Sequence, residues 1–230
     1  MTFLEVTSFL FDGFLISLII FAVTLLCGAP LGLPIALCSM SRFRPVRYVT
    51  RVFVWIVRGI PLMLQIFIIF YVPGLLFDFP VFSKVDRFAM NYGIQDAGRI
   101  FAVLIAFIIN YACYFSEIYR GGIESISQGQ YEAGYVLGLT RRQVFFHVIL
   151  KQVIKRIVPP MSNEIITLIK DTALANSIMV GEIIKKAYEL AAEEAIVWPL
   201  FYSGVFYLLF VGLLTVLLGK VEKKLSYFKA

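Results

Sequence analysis

The chain has 230 residues, of which 60% are hydrophobic and only 16% charged, whereas soluble domains are about half apolar and about a quarter charged. That balance excludes an ordinary soluble domain and makes the apolar run of about 20 residues the unit of organisation. The net charge of +6 would suit nucleic acid on a soluble protein. Here Lys and Arg cluster between apolar runs, as in cytoplasmic loops, so no nucleic-acid partner is expected.

The first apolar run covers residues 9–38. The Met1 region has no basic segment and no small-residue cleavage site, so the run reads as a span rather than a removable signal peptide. Pro30 and Pro34 should kink it. The second run, 52–76, contains Arg58-Gly59-Ile60-Pro61, and Gln65 beyond it needs a hydrogen-bond partner from another helix. In the third run, 100–119, Asn110, Tyr114 and Glu117 share a face at i, i+4 and i+7, and Arg120 can pair with Glu117 one turn further on.

The fourth run, 157–178, is the least apolar. Asn163, Glu164, Thr167, Lys170 and Asp171 fall on one arc of about a third of the helix at about 100° per residue, and Ile165, Ile166, Leu168 and Ile169 take the rest. A charge at the bilayer centre costs about 2.5–3.5 kcal/mol on insertion scales, which leaves two readings. The arc lines a polar pathway, or Lys170 pairs with Glu164 or Asp171 and fastens helices together. The fifth run covers 197–218. The expectation is an all-α membrane protein, one domain over residues 1–230, with about five transmembrane helices.

Charge placement orients it. Arg42, Arg44, Arg47 and Arg51 crowd the first loop, Arg120, Arg141, Arg142, Lys151, Lys155 and Arg156 fill the third, and Lys220, Lys223, Lys224 and Lys229 follow the last run. These regions should face the cytoplasm, with the N-terminus outside and the C-terminus inside. The loop 120–156 reads as short helices punctuated by glycine. The stretch 181–195 reads as an amphipathic helix, with Ile183, Ile184, Ala187 and Leu190 opposite Lys185, Lys186, Glu189 and Glu193. No phosphate-binding loop is present, so ATP is not expected on this chain. Cys27, Cys38, Cys113 and His147 form no metal-ligand set, and no metal, cofactor or catalytic residue is expected.

Tyr131-Glu132-Ala133-Gly134, then Gly138, then Val148-Ile149-Leu150 resembles the Glu-Ala-Ala loop of ABC importer permeases, with Gly134 for the second Ala and Lys151 for the closing Pro. Arg58-Gly59-Ile60-Pro61-Leu62 with Gln65, Glu117-Ile118-Tyr119-Arg120-Gly121-Gly122-Ile123, and Asn163-Glu164 with Lys170-Asp171-Thr172-Ala173-Leu174 resemble segments of the polar amino-acid branch of that family. Ile60 stands there for Thr and Ala173 for Ser. The resemblance implies a type I importer permease in a bacterial cytoplasmic membrane. It further implies two separate ATPase subunits that bind ATP and Mg, a second permease subunit, and an external binding protein that delivers a polar amino acid. Gln130, Glu132, Ala133, Gly134 and Gly138 would form the ATPase-coupling loop. Asn110, Tyr114, Glu117, Asn163, Glu164, Thr167, Lys170 and Asp171 would line the substrate pathway. An opine, a cystine-like compound or a compatible solute is the alternative cargo, and an ion-coupled carrier or a membrane scaffold the alternative class.

Overall fold

The computed structural model describes residues 2–91 and 96–225; Met1 and Lys229, which enter the sequence argument, lie outside the described residues. Helix α1 (Phe3–Ser39) is opened by a reciprocal cap, in which the Glu5 carboxylate accepts from the Thr2 amide at 2.7 Å and the Thr2 hydroxyl accepts from the Glu5 amide at 3.4 Å. It runs unbroken through Pro30 and Pro34. After it come α2 (Arg44–Gly59), α3 (Leu62–Phe77), α4 (Val81–Met90) and α5 (Ala97–Glu124). The next two are short, α6 (Gln128–Val136) and α7 (Arg141–Gln143), and a π-helical turn over Val144–Ile149 leads into α8 (Leu150–Asp171). A 3₁₀ segment over Thr172–Ile178 continues α8, followed by α9 (Ile183–Glu193) and α10 (Trp198–Leu225). No strand occurs among the described residues.

Three helices, α1, α5 and α10, are each long and apolar enough to cross a membrane, and α2 with α3 makes a fourth if that pair counts as one span. The expected second span, 52–76, is therefore corrected. It is not one helix but two, meeting at 102°. The cause is Pro61, whose ring disfavours helical backbone at the residue before it. Ile60 is accordingly extended, at φ −97° and ψ 131°. The expected fourth span also shifts: α8 begins at Leu150, inside what reads as loop, and gives way to 3₁₀ geometry after Asp171. Arg120 and Glu124 likewise belong to α5, and α4 occupies a stretch that reads as a connector.

The most extensive contact is between α1 and α5. On α1 the buried face toward the helix end is small at every fourth position, with Thr24, Gly28, Gly32 and Ala36. In lipid, where apolar side chains gain nothing by leaving the solvent, close backbone approach supplies the association. A methyl group on Gly32 would lie 2.9 Å from Phe115 Cβ and 3.0 Å from the Ala112 carbonyl oxygen. Around this seam Ile20, Ile66, Phe107, Phe115, Leu168, Ile169 and Ile178 form the main core. A second cluster seats α9 on the start of α1 through Ile183, Ala187 and Leu190 against Val6, Leu10 and Phe14. That is the apolar face the sequence assigns to this helix. By contrast α10 buries little beyond Pro199 and Ser203.

Gly32→Leu should force α1 off α5 and destabilise the protein by about 1–3 kcal/mol or more. Gly219→Ala, where an added methyl meets nothing within 4 Å, should be neutral. Thermal unfolding of both variants in detergent checks this; an unchanged midpoint for Gly32→Leu would contradict the seam.

Candidate functional site

The break between α2 and α3 opens onto a polar cavity of about 510 Å³. The chain around the break lines one side with Arg58, Gly59, Ile60, Pro61 and Leu62. Asn110, Tyr111 and Tyr114 of α5 line the second, and Glu164, Thr167 and Asp171 of α8, with Leu174 just beyond it, line the third. The break is stabilised from within. Gln65, buried at 9% exposure, donates its side-chain amide to the Val57 carbonyl at 2.7 Å and the Ile60 carbonyl at 2.8 Å. Those carbonyls terminate α2 and would otherwise lack partners. Helix α3 begins at the cavity wall with Leu62, where, among the described residues, the Leu62 and Met63 amides lack a backbone acceptor and the helix dipole favours an anion.

Charge is distributed unevenly around this cavity. The Arg58 guanidinium sits over the Tyr114 ring at 4.8 Å. Opposite it are two carboxylates: Glu164, which is half-buried, and Asp171, which accepts a hydrogen bond from the Tyr111 hydroxyl at 2.7 Å. One wall is thus cationic and the other anionic, and a zwitterion can satisfy both.

The structure divides the sequence-predicted pathway set. Asn110, Tyr114, Glu164, Thr167 and Asp171 come together around the cavity. Glu117 lies a turn beyond it, where it accepts from Arg120 through Nε at 3.0 Å and Nη2 at 2.6 Å, the pairing that the i, i+3 spacing anticipates. Asn163 and Lys170 occupy the edge of the polar arc that leaves the cavity and are exposed on this chain. Lys170 makes no ion pair within 4.0 Å with Glu164 or Asp171 among the described residues. The sequence set omits Arg58, Tyr111 and the Ile60–Leu62 backbone. Arg58 and Pro61 are legible in the Arg-Gly-Ile-Pro signal, but nothing in the spacing sets Tyr111 apart from the aromatic residues around it.

The second predicted set lies on α6 and the turn after it. Gln130, Glu132 and Ala133 are exposed, and the Gln130 side chain accepts from Gln152 Nε2 at 3.0 Å, which ties α6 to α8. Gly134 is buried, and a methyl there would come within 2.7 Å of Val144 Cγ2. Glycine at the second Ala position therefore admits Val144 to the small core of Ile126, Val144, Ile149 and Val153. Gly138 adopts φ +73°. Its amide donates to the Tyr135 carbonyl at 3.0 Å and that of Leu139 to the Gly134 carbonyl at 3.1 Å, a helix-ending motif that favours glycine at this position. Thr140 and Gln143 then cap the next helix reciprocally. The turn projects Val136 and Leu137, 87% and 78% exposed, beside Tyr135. Sequence reasoning did not single out these apolar residues, because two aliphatic residues in a short loop carry no periodic signal.

Residues 28–227 match the profile of the family described as "binding-protein-dependent transport system inner membrane component". The L-cystine transport system permease protein TcyB of Bacillus subtilis is 38% identical over 88% of this chain and 80% of its own length. The arginine transport system permease protein ArtQ of the same organism is 34% identical over 95% and 93%. Among solved structures, an amino acid ABC transporter crystallised with histidines superposes with a TM-score of 0.80 at 26% identity, over 96% of both chains. The MetNI methionine ABC transporter in an inward-facing form shares the fold, with a TM-score of 0.68 at 13% identity over 98% of this chain and 100% of that one. The chain belongs to the family of binding-protein-dependent transport system inner membrane components.

Proposed function

We propose that this chain is the permease subunit of an ATP-binding-cassette importer for a polar amino acid, and that the cavity at the α2–α3 break is where the amino acid crosses. The observation that carries the reading is the charge layout of that cavity, with Arg58 and the start of α3 on one wall and Glu164 and Asp171 on another. Every amino acid carries one carboxylate and one ammonium, and each wall suits one of them. The relatives' names, cystine and arginine, belong to the same substrate class. The layout addresses the backbone of an amino acid rather than its side chain, so the choice among amino acids is left to the binding protein that delivers them.

The polar edge that leaves the cavity, Asn163 and Lys170, calls for a polar neighbour at bilayer depth. A second permease subunit meeting α8 supplies it and closes the pathway. With α8 and its 3₁₀ extension counted beside α1, the α2–α3 pair, α5 and α10, the chain crosses five times, N-terminus outside and C-terminus in the cytoplasm. Supporting this, the Arg-rich start of α2, the α6–α7 region and the Lys-rich end of α10 then all face the cytoplasm. The membrane is the bacterial cytoplasmic membrane. On its inner side α6 docks into a separate ATPase subunit, one per permease, with Val136 and Leu137 as apolar contacts and Glu132 as the charged one. ATP and Mg are bound there and not on this chain. Closure of the two ATPases rocks the paired permeases between inward- and outward-facing states.

Reconstitution in proteoliposomes with the binding protein and ATPase, assayed for uptake of L-cystine, L-arginine and L-glutamine, tests the reading; ATP-dependent uptake of none of the three would refute the amino-acid assignment. Asp171→Asn, which removes a charge but keeps a partner for Tyr111, should lower uptake by about tenfold or more while changing protein abundance less than about twofold; equal losses in both would reduce Asp171 to a structural role. Glu132→Lys places the opposite charge at the docking helix and should cut uptake and substrate-stimulated ATP hydrolysis by at least about tenfold in a folded permease; unchanged coupling would remove α6 from the contact. Reporter fusions should read the N-terminus outside and the C-terminus inside, and any other pattern breaks the five-crossing topology.

A further inference from the structure

A second cavity, of about 250 Å³, lies between α2 and α5, lined by Arg51, Val54, Trp55, Arg58, Glu117 and Arg120. Arg58 lines both this cavity and the larger one at the break, so the two share one side chain. At about 30 Å³ of liquid volume per water, the smaller cavity has room for about eight waters, or for one free amino acid.

The charges in it do not balance. Arg120 takes the close contacts, two to Glu117 at 3.0 and 2.6 Å and one to Glu124 at 2.6 Å. Arg58 reaches Glu117 only at 3.6 Å, and Arg51 reaches Glu124 only at 4.0 Å while donating its Nε to the Ser39 carbonyl at 3.1 Å. Three guanidiniums thus share two carboxylates, and two of the three are loosely held. Each guanidinium has five donors, so Arg51 and Arg58 retain unspent N–H groups at the cavity wall. One surplus positive charge in a half-enclosed space favours an anion, and a guanidinium matches a carboxylate in shape as well as charge. Glu117 offers an acceptor for an accompanying ammonium, and Val54 and Trp55 give the cavity an apolar wall.

The arginines of α2 also form a row. At about 100° per residue, Arg44, Arg47, Arg51 and Arg58 fall within about 60° of one another around the helix. Arg58 stands about 10 Å along the axis from Arg51, at about 1.5 Å per residue. The row runs from the cavity at the break, through the smaller cavity, to the end of α2 where Arg44 begins the helix. Among the described residues no carboxylate lies within 4.0 Å of Arg44 or Arg47.

We propose that the cavity between α2 and α5 is a second substrate site, a release site. In it the carboxylate of the amino acid leaves Arg58 for Arg51, and the ammonium faces Glu117, before the molecule departs along the arginine row. This rests on the amino-acid importer reading. It adds a station on the pathway and assigns to Arg51 and Trp55 a contact with substrate that the cavity at the break does not require.

The test uses the complete importer in proteoliposomes, with the ATPase inside, and whichever of L-cystine, L-arginine and L-glutamine the wild type takes up. The same amino acid is loaded inside at increasing concentration, where it can re-enter the release site and slow ATP-driven turnover. Arg51→Gln should raise the inhibitory internal concentration by about tenfold, the loss of one charge-assisted hydrogen bond. The apparent KM for the loaded binding protein outside should stay within about twofold, because loading occurs at the other cavity. Arg51→Lys, which keeps the charge, should recover most of the internal inhibition. A wild type insensitive to internal amino acid overturns the proposal, as does an inhibitory concentration that Arg51→Gln leaves unchanged. A parallel shift in external KM and in protein abundance overturns it too, since that makes Arg51 a structural contact. If the wild type takes up none of the three amino acids, the importer reading fails on its own. The cavity is then read with acetate as the carboxylate probe against basal ATP hydrolysis, where equal sensitivity of wild type and Arg51→Gln overturns the site as well.

Discussion

A helix broken inside lipid has no water to satisfy the backbone groups it frees, and each unpaired one costs several kcal/mol. At the break at Ile60 and Pro61 one side chain relieves part of that constraint. Gln65, one turn into α3, returns its amide to the last carbonyls of α2. The two helices can then meet at 102° without exposing α2's end to the bilayer, and the angle opens the cavity that the rest of the polar residues surround. The other consequence is at the start of α3, which reaches the cavity wall at Leu62. Pro61 makes the break, Gln65 makes it tolerable, and Arg58, the residue two before Ile60, is carried to the cavity wall by the same turn.

The remaining architecture holds the other walls at fixed distance. The small-residue face of α1 lets its backbone approach α5 closely enough that Gly32 has no room for a methyl, which fixes where Asn110, Tyr111 and Tyr114 stand. Helix α8 contributes Glu164, Thr167 and Asp171 from one edge of its polar arc and leaves Asn163 and Lys170 on the other. Its far end is anchored by the buried Leu168 and Ile169. At the start of the same helix Gln152 holds Gln130 of α6. Helix α8 thereby both lines the cavity, through Glu164 and Asp171, and holds α6, through one side-chain hydrogen bond.

Much of this was legible in the sequence, for identifiable reasons. The long apolar runs of α1, α5 and α10 stand out because a bilayer demands length and apolarity together. The α8 arc and the Glu117–Arg120 pair follow from helical spacing alone, as does the buried face of α9. The break was missed although Pro61 was in view. The apolar run continues through it, and hydropathy does not register a change of direction. The early start of α8 was missed because Lys151, Lys155 and Arg156 read as loop, whereas a helix that leaves the bilayer can carry them on its exposed turns. The role of Gly134 could not be read without knowing that Val144 packs against it. Tyr111 is identified only by its partner Asp171, sixty residues away in the chain.

The proposed function makes this chain one of two permeases paired with two ATPase subunits, so the most direct test is what it holds on to. A tagged permease extracted in mild detergent should bring with it an ATPase subunit at about one per permease chain, with two permease chains in each particle. Recovery of the chain alone, stable and able to move an amino acid across liposomes without ATP, would contradict the account and require the cavity at the break to be reread as the site of an ion-coupled carrier.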